Sequence, residues 1–261
     1  MLKAQRYISD ELTHFVGKNI ANDNDQYNIL VDIINSGWLT HAPHEKTEKD
    51  SGGLTLSRHS PLSDNLMYSP EVICFCDIPI DDLGLHIRKY SRFGISFNKS
   101  FLIEKGVNPV FYISKDSKIK YWPNVDKPND YLKIYRSEFY DYMIDNYHDL
   151  VKDLMIYFKD LFYQSSEVIG SNKLQSKIRE FQNQVMKLEY FLDFHVFSFL
   201  KFFDSSKSES DPDNYYMERE WRMIGNLQFS ISDVRRIFLP EYYAEMFRKD
   251  VPDYYGQLNF V

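Results

Sequence analysis

The chain is nearly without cysteine: two in 261 residues, Cys74 and Cys76. They stand two apart in one apolar run, on one side of an expected strand. There they are badly placed to bridge each other and too few for a structural zinc site. A disulfide framework is thereby excluded, and the pair reads as reduced core thiols of a cytoplasmic protein. No apolar run approaches the roughly 18 residues that a membrane span requires. The opening MLKAQRYISDELTHF carries polar residues where a signal peptide has its apolar segment. No Gly-rich phosphate fingerprint is present, which argues against a Rossmann site. No Ser–His–Asp or metal-nuclease spacing is visible. His41, His44 and His59 fall in a polar stretch but match no ligand spacing, so no metal is expected. Positive charge is in deficit as well: 31 Lys and Arg against 38 Asp and Glu give a net charge of -7. Global attraction to nucleic acid is absent, while a local basic groove stays open.

What the chain does have is aromatic side chains: Tyr 20, Phe 20 and Trp 3. They suffice for a large core, and several tyrosines could line a pocket for a flat ring. The length suits one α+β domain over 1–261, carrying an insertion.

The stretch from Val72 to Ile113 organises the rest. Val72 to Cys76 reads as a buried strand stopped by Asp77 and Pro79. Ile80 to Tyr90 reads as one short helix through Leu83, His86, Ile87 and Tyr90. Phe93 to Phe97 and Pro109 to Ile113 read as two further strands, with a short helix or turn from Lys99 to Gly106 between them. His86, Arg88, Lys89, Arg92 and Lys99 form either a basic rim able to hold an anion or a solvated face.

Leu12 to Val16 is expected as the first strand, with His14 among apolar neighbours, where it is either a satisfied core residue or a site ligand. Gln26 to Asn35 is an amphipathic helix ending at Ser36-Gly37, followed by a short strand at Trp38. Residues 41–70 read as a long mobile loop, placed as a lid would be. From Ser137 to Phe203 the pattern turns helical: two amphipathic helices, separated at Gly170-Ser-Asn172, form an insertion into a β-rich domain. Its aromatic end needs a sheet or a partner to cover it. Tyr215 to Gly225 reads as a strand that points Glu218, Glu220 and Arg222 one way, which suits either a polar cleft or a solvated edge. Val234 to Pro240 is a strand and Glu241 to Lys249 a helix.

Several of these segments together resemble a known family: Ser9 to Gly17, Cys74-Phe-Cys-Asp-Ile-Pro79, His86 to Tyr90, Phe93-Gly-Ile-Ser-Phe97, Asn108-Pro-Val-Phe-Tyr112 and Glu218-Arg-Glu-Trp-Arg222. The combination resembles the AbiGi family of abortive phage-resistance proteins, over most of residues 7–240 apart from the 41–70 loop and the helical insertion. That resemblance implies an anti-phage role and a toxin, antitoxin or phage protein as partner. A second resemblance is to the order of segments in ADP-ribosyltransferases. It implies a split mixed/antiparallel β-core of that type with a helical insertion, and NAD as substrate. On that resemblance His14 holds the ribose, Glu220 is the catalytic acid and Glu218 assists the acceptor. Tyr90 or Phe93 stacks on nicotinamide, and Arg58, Arg88 or Arg92 neutralises the pyrophosphate. The nearby carboxylate would stabilise an oxocarbenium-like centre as the nicotinamide glycosidic bond breaks. ADP-ribose would then pass to a protein or nucleic-acid acceptor. The competing expectation is a non-enzymatic antitoxin or phage-sensing module that kept the fold without turnover.

Overall fold

A computed structural model describes residues 9–42, 44–47, 53–123, 131–166, 172–211 and 213–261. Its elements run β1 (Glu11–Phe15), α1 (Asp23–Ser36), β2 (Trp38–Leu39), β3 (Leu54–Leu56), β4 (Tyr68–Pro70), β5 (Val72–Cys76), α2 (Gly84–Lys89) and β6 (Gly94–Asn98). They continue with α3 (Lys99–Glu104), β7 (Asn108–Pro109), β8 (Phe111–Ser114), β9 (Lys118–Pro123), β10 (Tyr131–Tyr135), α4 (Arg136–Ser166), α5 (Asn172–His195) and β11 (Leu200–Phe203). The chain closes with β12 (Glu220–Ile224), β13 (Leu227–Gln228), β14 (Val234–Leu239), α6 (Ala244–Asp250) and β15 (Gln257–Phe260). The class is α+β.

Two compact units result: residues 1–53, 70–110 and 206–261 make one, and 54–69 with 111–205 the other. The helical stretch expected as an insertion into a single domain is thus the larger part of a second unit, which also takes in β3 and the strands from β8 to β10.

The first unit is built on a seven-stranded sheet in the order β15-β14-β6-β1-β5-β12-β7. Its pairings are antiparallel except β14 with β15. The apolar alternation of β1, β5, β6 and β14 puts Leu12, Phe75, Ile95, Phe97, Ile237 and Leu239 on one face. There they meet Tyr27, Leu30 and Ile34 of α1 and Phe247 of α6 in the main core. Helix α1 starts where the Asn22 side chain accepts from the Asn24 amide and ends at Gly37, whose φ of 68° is left-handed. A side chain there would also collide with the Phe229 carbonyl 2.6 Å away. The opposite face carries Phe15, Cys76 and Phe238 under Ile78, Leu83 and Ile87, so the segment of α2 covers it.

The second unit pairs β11 with β8 in parallel and packs α4 on α5. Its buried centre is Leu62, Met67, Tyr68, Ile144 and Phe202.

Several expected boundaries move. The 41–70 loop contains a paired β3–β4 ladder. The expected strand Pro109 to Ile113 is two strands, β7 and β8, which pair in different sheets. The expected helix from Ile80 is a 3-10 turn followed by α2. Glu218 is not in the strand at all: it ends a 3-10 turn over Tyr215–Glu218, and Arg219 takes φ 46° before β12 begins at Glu220. The polar break at Gly170-Ser171 and part of the 41–70 loop lie outside the described residues.

Candidate functional site

Register decides which side chains can meet. Thr13 lies opposite Cys76 and Cys76 opposite Glu220. Thr13 also lies opposite Ser96, which pairs with Arg236. Directly paired residues point the same way, so Glu220, Cys76, Thr13, Ser96 and Arg236 form one row on the α2-covered face. His14, next to Thr13, points through the other side.

On the α2 side the charges are concentrated at one corner. Helix α2 brings His86, Lys89 and Tyr90 to one flank, spaced three and four apart. Lys89 Nζ and the Tyr90 hydroxyl both donate to Glu218 Oε1, at 2.7 and 2.6 Å. Two residues on, Arg222 closes on Glu220 with Nε to Oε1 at 2.7 Å and Nη2 to Oε2 at 3.3 Å. Glu218 and Glu220 are each 7% exposed. A carboxylate that deep requires a cation or several donors, and these pairs supply them. The left-handed residue Arg219 is what re-aims the chain so that both acids reach this corner.

Burial, followed by the Glu218 charge, pushes the Tyr90 phenol well above its usual range. The Tyr90 ring stacks on Phe15 at 6.3 Å, and Lys18 Nζ lies 4.7 Å from its centroid. His86, 4% exposed, has neither ring nitrogen hydrogen-bonded within the described structure. Burial lowers its pKa, Glu218 opposing that shift and Lys89 adding to it. Neutral imidazole beside a closed ion pair is the result.

The remaining expected residues are dispersed. His14 donates from Nδ1 to the Cys74 carbonyl at 2.8 Å and rests against Phe75 with centroids 5.9 Å apart. Burial lowers its pKa, against the carbonyl that favours the proton. Its neighbours are those of a core histidine, and it faces away from Glu220. Arg92 pairs with Asp23 and donates to the Tyr242 hydroxyl at 3.1 Å. Arg88 is exposed on α2, off the flank of Lys89. Phe93 is fully buried in the main core. Lys99 pairs with Asp77 at 2.9 Å. The basic rim expected from these side chains is therefore divided among three separate acids. Among the described residues no cluster of His, Cys, Asp and Glu could hold a metal.

The second unit holds a polar centre that sequence reasoning missed. The Tyr68 hydroxyl sits 2.5 Å from His148 Nε2 and 3.3 Å from Asp193 Oδ1. Burial raises Asp193 to about 6, Tyr68 opposing. Burial and the Arg58 charge take His148 down to about 4. His148 Nδ1 and the neighbouring Tyr147 hydroxyl have no partner within the described structure. These residues lie 80 and 125 positions apart, and no local motif links them.

Comparison with known proteins places the chain in the class of abortive phage-resistance proteins. A family model described as "Putative abortive phage resistance protein AbiGi, antitoxin" matches residues 65–250. The chain belongs to the AbiGi family. The match takes in β4 through α6, so it includes the helical stretch that the sequence resemblance left out. A curated relative, "Abortive phage resistance protein AbiGi" of Lactococcus lactis subsp. cremoris, is 26% identical over 198 residues, 69% of this chain and 74% of the relative. No solved structure matches. No helix of the described residues is long and apolar enough to cross a membrane.

Proposed function

We propose that this protein serves abortive infection as the binding component of a toxin–antitoxin pair, without turnover at its acidic corner. One observation carries the reading: Glu220 is closed in a two-pronged pair by Arg222, on the sheet face opposite His14. An acid that stabilises a developing oxocarbenium centre must present its oxygens to the sugar. Here the protein's own guanidinium takes both. The family description as an antitoxin agrees with a binding role. The test is genetic and chemical. Loss of the gene from its native host should slow growth, and both the wild-type chain and Glu220→Gln should restore it. Purified protein incubated with labelled NAD should release no nicotinamide. Growth arrest by the chain alone, abolished in Glu220→Gln together with nicotinamide release, overturns the proposal.

A second reading rests on His86. A buried imidazole without a hydrogen bond, beside Glu218 and Tyr90, is a ready contact for a sugar hydroxyl. In that reading the corner cleaves the nicotinamide glycosidic bond of NAD with Glu220 as the acid and Glu218 assisting, and the ribose is held by His86 instead of His14. Nicotinamide release that disappears in His86→Ala would select it.

A further inference from the structure

The α4–α5 hairpin exposes many large apolar side chains, and six of them fall in an ordered pattern. Buried or half-buried Ile144, His148, Val151 and Phe158 mark the inward seam of α4, and Ile178, Val185 and Leu192 that of α5. Phe158 meets Phe181 at 5.0 Å and the Arg179 guanidinium lies over Phe162 at 5.1 Å. These contacts also run the helices antiparallel. Beside that seam lies a second stripe. On α4 it is Met143, Leu150 and Tyr157, exposed 43%, 59% and 58%. On α5 it is Leu174, Phe181 and Leu188, exposed 51%, 49% and 56%. Both series repeat every seventh residue. Tyr147, Leu154 and Leu161 on α4, and Ile178, Val185 and Leu192 on α5, fill the intervening four-residue step. This is the 3.5-residue period of a helix that packs against other helices. Each α4 stripe residue precedes a seam residue by one, and each α5 stripe residue falls three after or four before one. In antiparallel helices these two rotations turn both stripes to the same side of the hairpin.

We propose that a second copy of this chain covers that side, the two hairpins closing a four-helix bundle about a two-fold axis. Charge supports a self-pairing. Helix α4 carries six acids against three bases, and α5 four bases against three acids. At the stripe's outer edges stand Asp153 and Asp160 on α4, and Lys173, Lys177 and Lys187 with a single acid, Glu180, on α5, all exposed. A two-fold axis parallel to the helices lays α4 of one copy along α5 of the other, so the acidic edge meets the basic edge twice. Area agrees as well. Six half-exposed large side chains offer about 100 Å² each, or roughly 1,200 Å² over two copies, the lower bound for a stable specific interface. The two-fold hairpin dimer is a known bundle topology.

The experiment is sedimentation velocity on the full chain between 1 and about 50 μM, with circular dichroism as the fold control. The expected result is a mass twice the 31.2 kDa of one chain. Leu150→Glu with Leu188→Glu should give a monomer of unchanged helix content. Asp153→Lys with Asp160→Lys, on exposed positions that folding tolerates, should weaken the dimer at least tenfold. Adding Lys177→Glu and Lys187→Glu should restore it. A wild-type monomer across this range overturns the proposal and leaves the face to another protein. A dimer that survives both the apolar and the charge variants overturns it too, because the copies then meet elsewhere.

Discussion

The two units each bury a polar centre, and they neutralise it by different means. In the sheet unit Glu220 is 7% exposed and answered by Arg222 in two contacts. In the helical unit Asp193 is 9% exposed and meets a phenol instead of a guanidinium. Burial raises its carboxyl to about 6, and burial takes His148 down to about 4. Equal burial thus gives an ion pair in one place and, in the other, a hydrogen-bonded set without a contacting cation, whose acid and imidazole are both neutral only between about pH 4 and 6. The strand geometry explains part of the difference. Positions two apart on β12 share a face, so a Glu-x-Arg spacing supplies its own counter-ion. A helix seam offers no such intrinsic pairing across 45 residues of chain.

The comparison predicts unequal costs. Arg222→Met leaves Glu220 with its desolvation penalty and without the guanidinium, and should destabilise the sheet unit by about 3 kcal/mol. Amide exchange along β5 and β12 reads that loss locally, and unchanged protection there would show that the ion pair does not hold the corner. Tyr68→Phe deprives both His148 and Asp193 of one bond, a smaller loss of about 2 kcal/mol, because a hydrogen bond and not a counter-ion is removed. Urea unfolding followed by fluorescence checks it. A cost equal to that of Arg222→Met would mean the two centres do not differ in kind.

Titration sharpens the contrast. The folded Asp193 value of about 6 lies above its ordinary 3.8. Its contribution to stability is complete below the lower value and is lost as pH rises through the upper one. The folded His148 value of about 4 lies below its ordinary 6.5. Its contribution is complete above the upper value and is lost as pH falls through the lower one. Between pH 4 and 6 the two slopes have opposite sign and offset each other. Asp193→Asn removes one of them. Relative to wild type, the variant should then gain stability from pH 4 to 6, by roughly 2 kcal/mol after discounting for partial solvation. Parallel curves for the two proteins would remove the coupling.

Legibility followed the same division. Strand β5 and helix α1 with its Gly37 end were readable, because apolar runs and caps are local signals. The pairing of Glu218 with Lys89 and Tyr90 was half readable: the acids and the basic segment both stood out, but not that Arg219 would turn left-handed between the acids. The placement of His14 against Glu220 was not readable. It depends on β1 and β12 flanking β5 in one register, and a shift of one residue would have reversed it. The Tyr68 centre had no linear signal, since its members come from three distant segments.

The smallest effect separates two adjacent cations on α2. Lys89 reaches Glu218 at 2.7 Å with its side chain 16% exposed, whereas Arg88, one residue earlier, is exposed. Both stood equally in the expected anion-holding rim. One hundred degrees of helical rotation is the whole difference between them. Lys89→Met should cost about 1 kcal/mol, since Tyr90 still donates to Glu218 and only the ionic part is lost. Arg88→Ala should stay within about 0.5 kcal/mol, as surface substitutions do. Thermal melts of the pair measure this. If Arg88→Ala proved the costlier, the inward flank of α2 would be misassigned, and with it the route by which Glu218 is held.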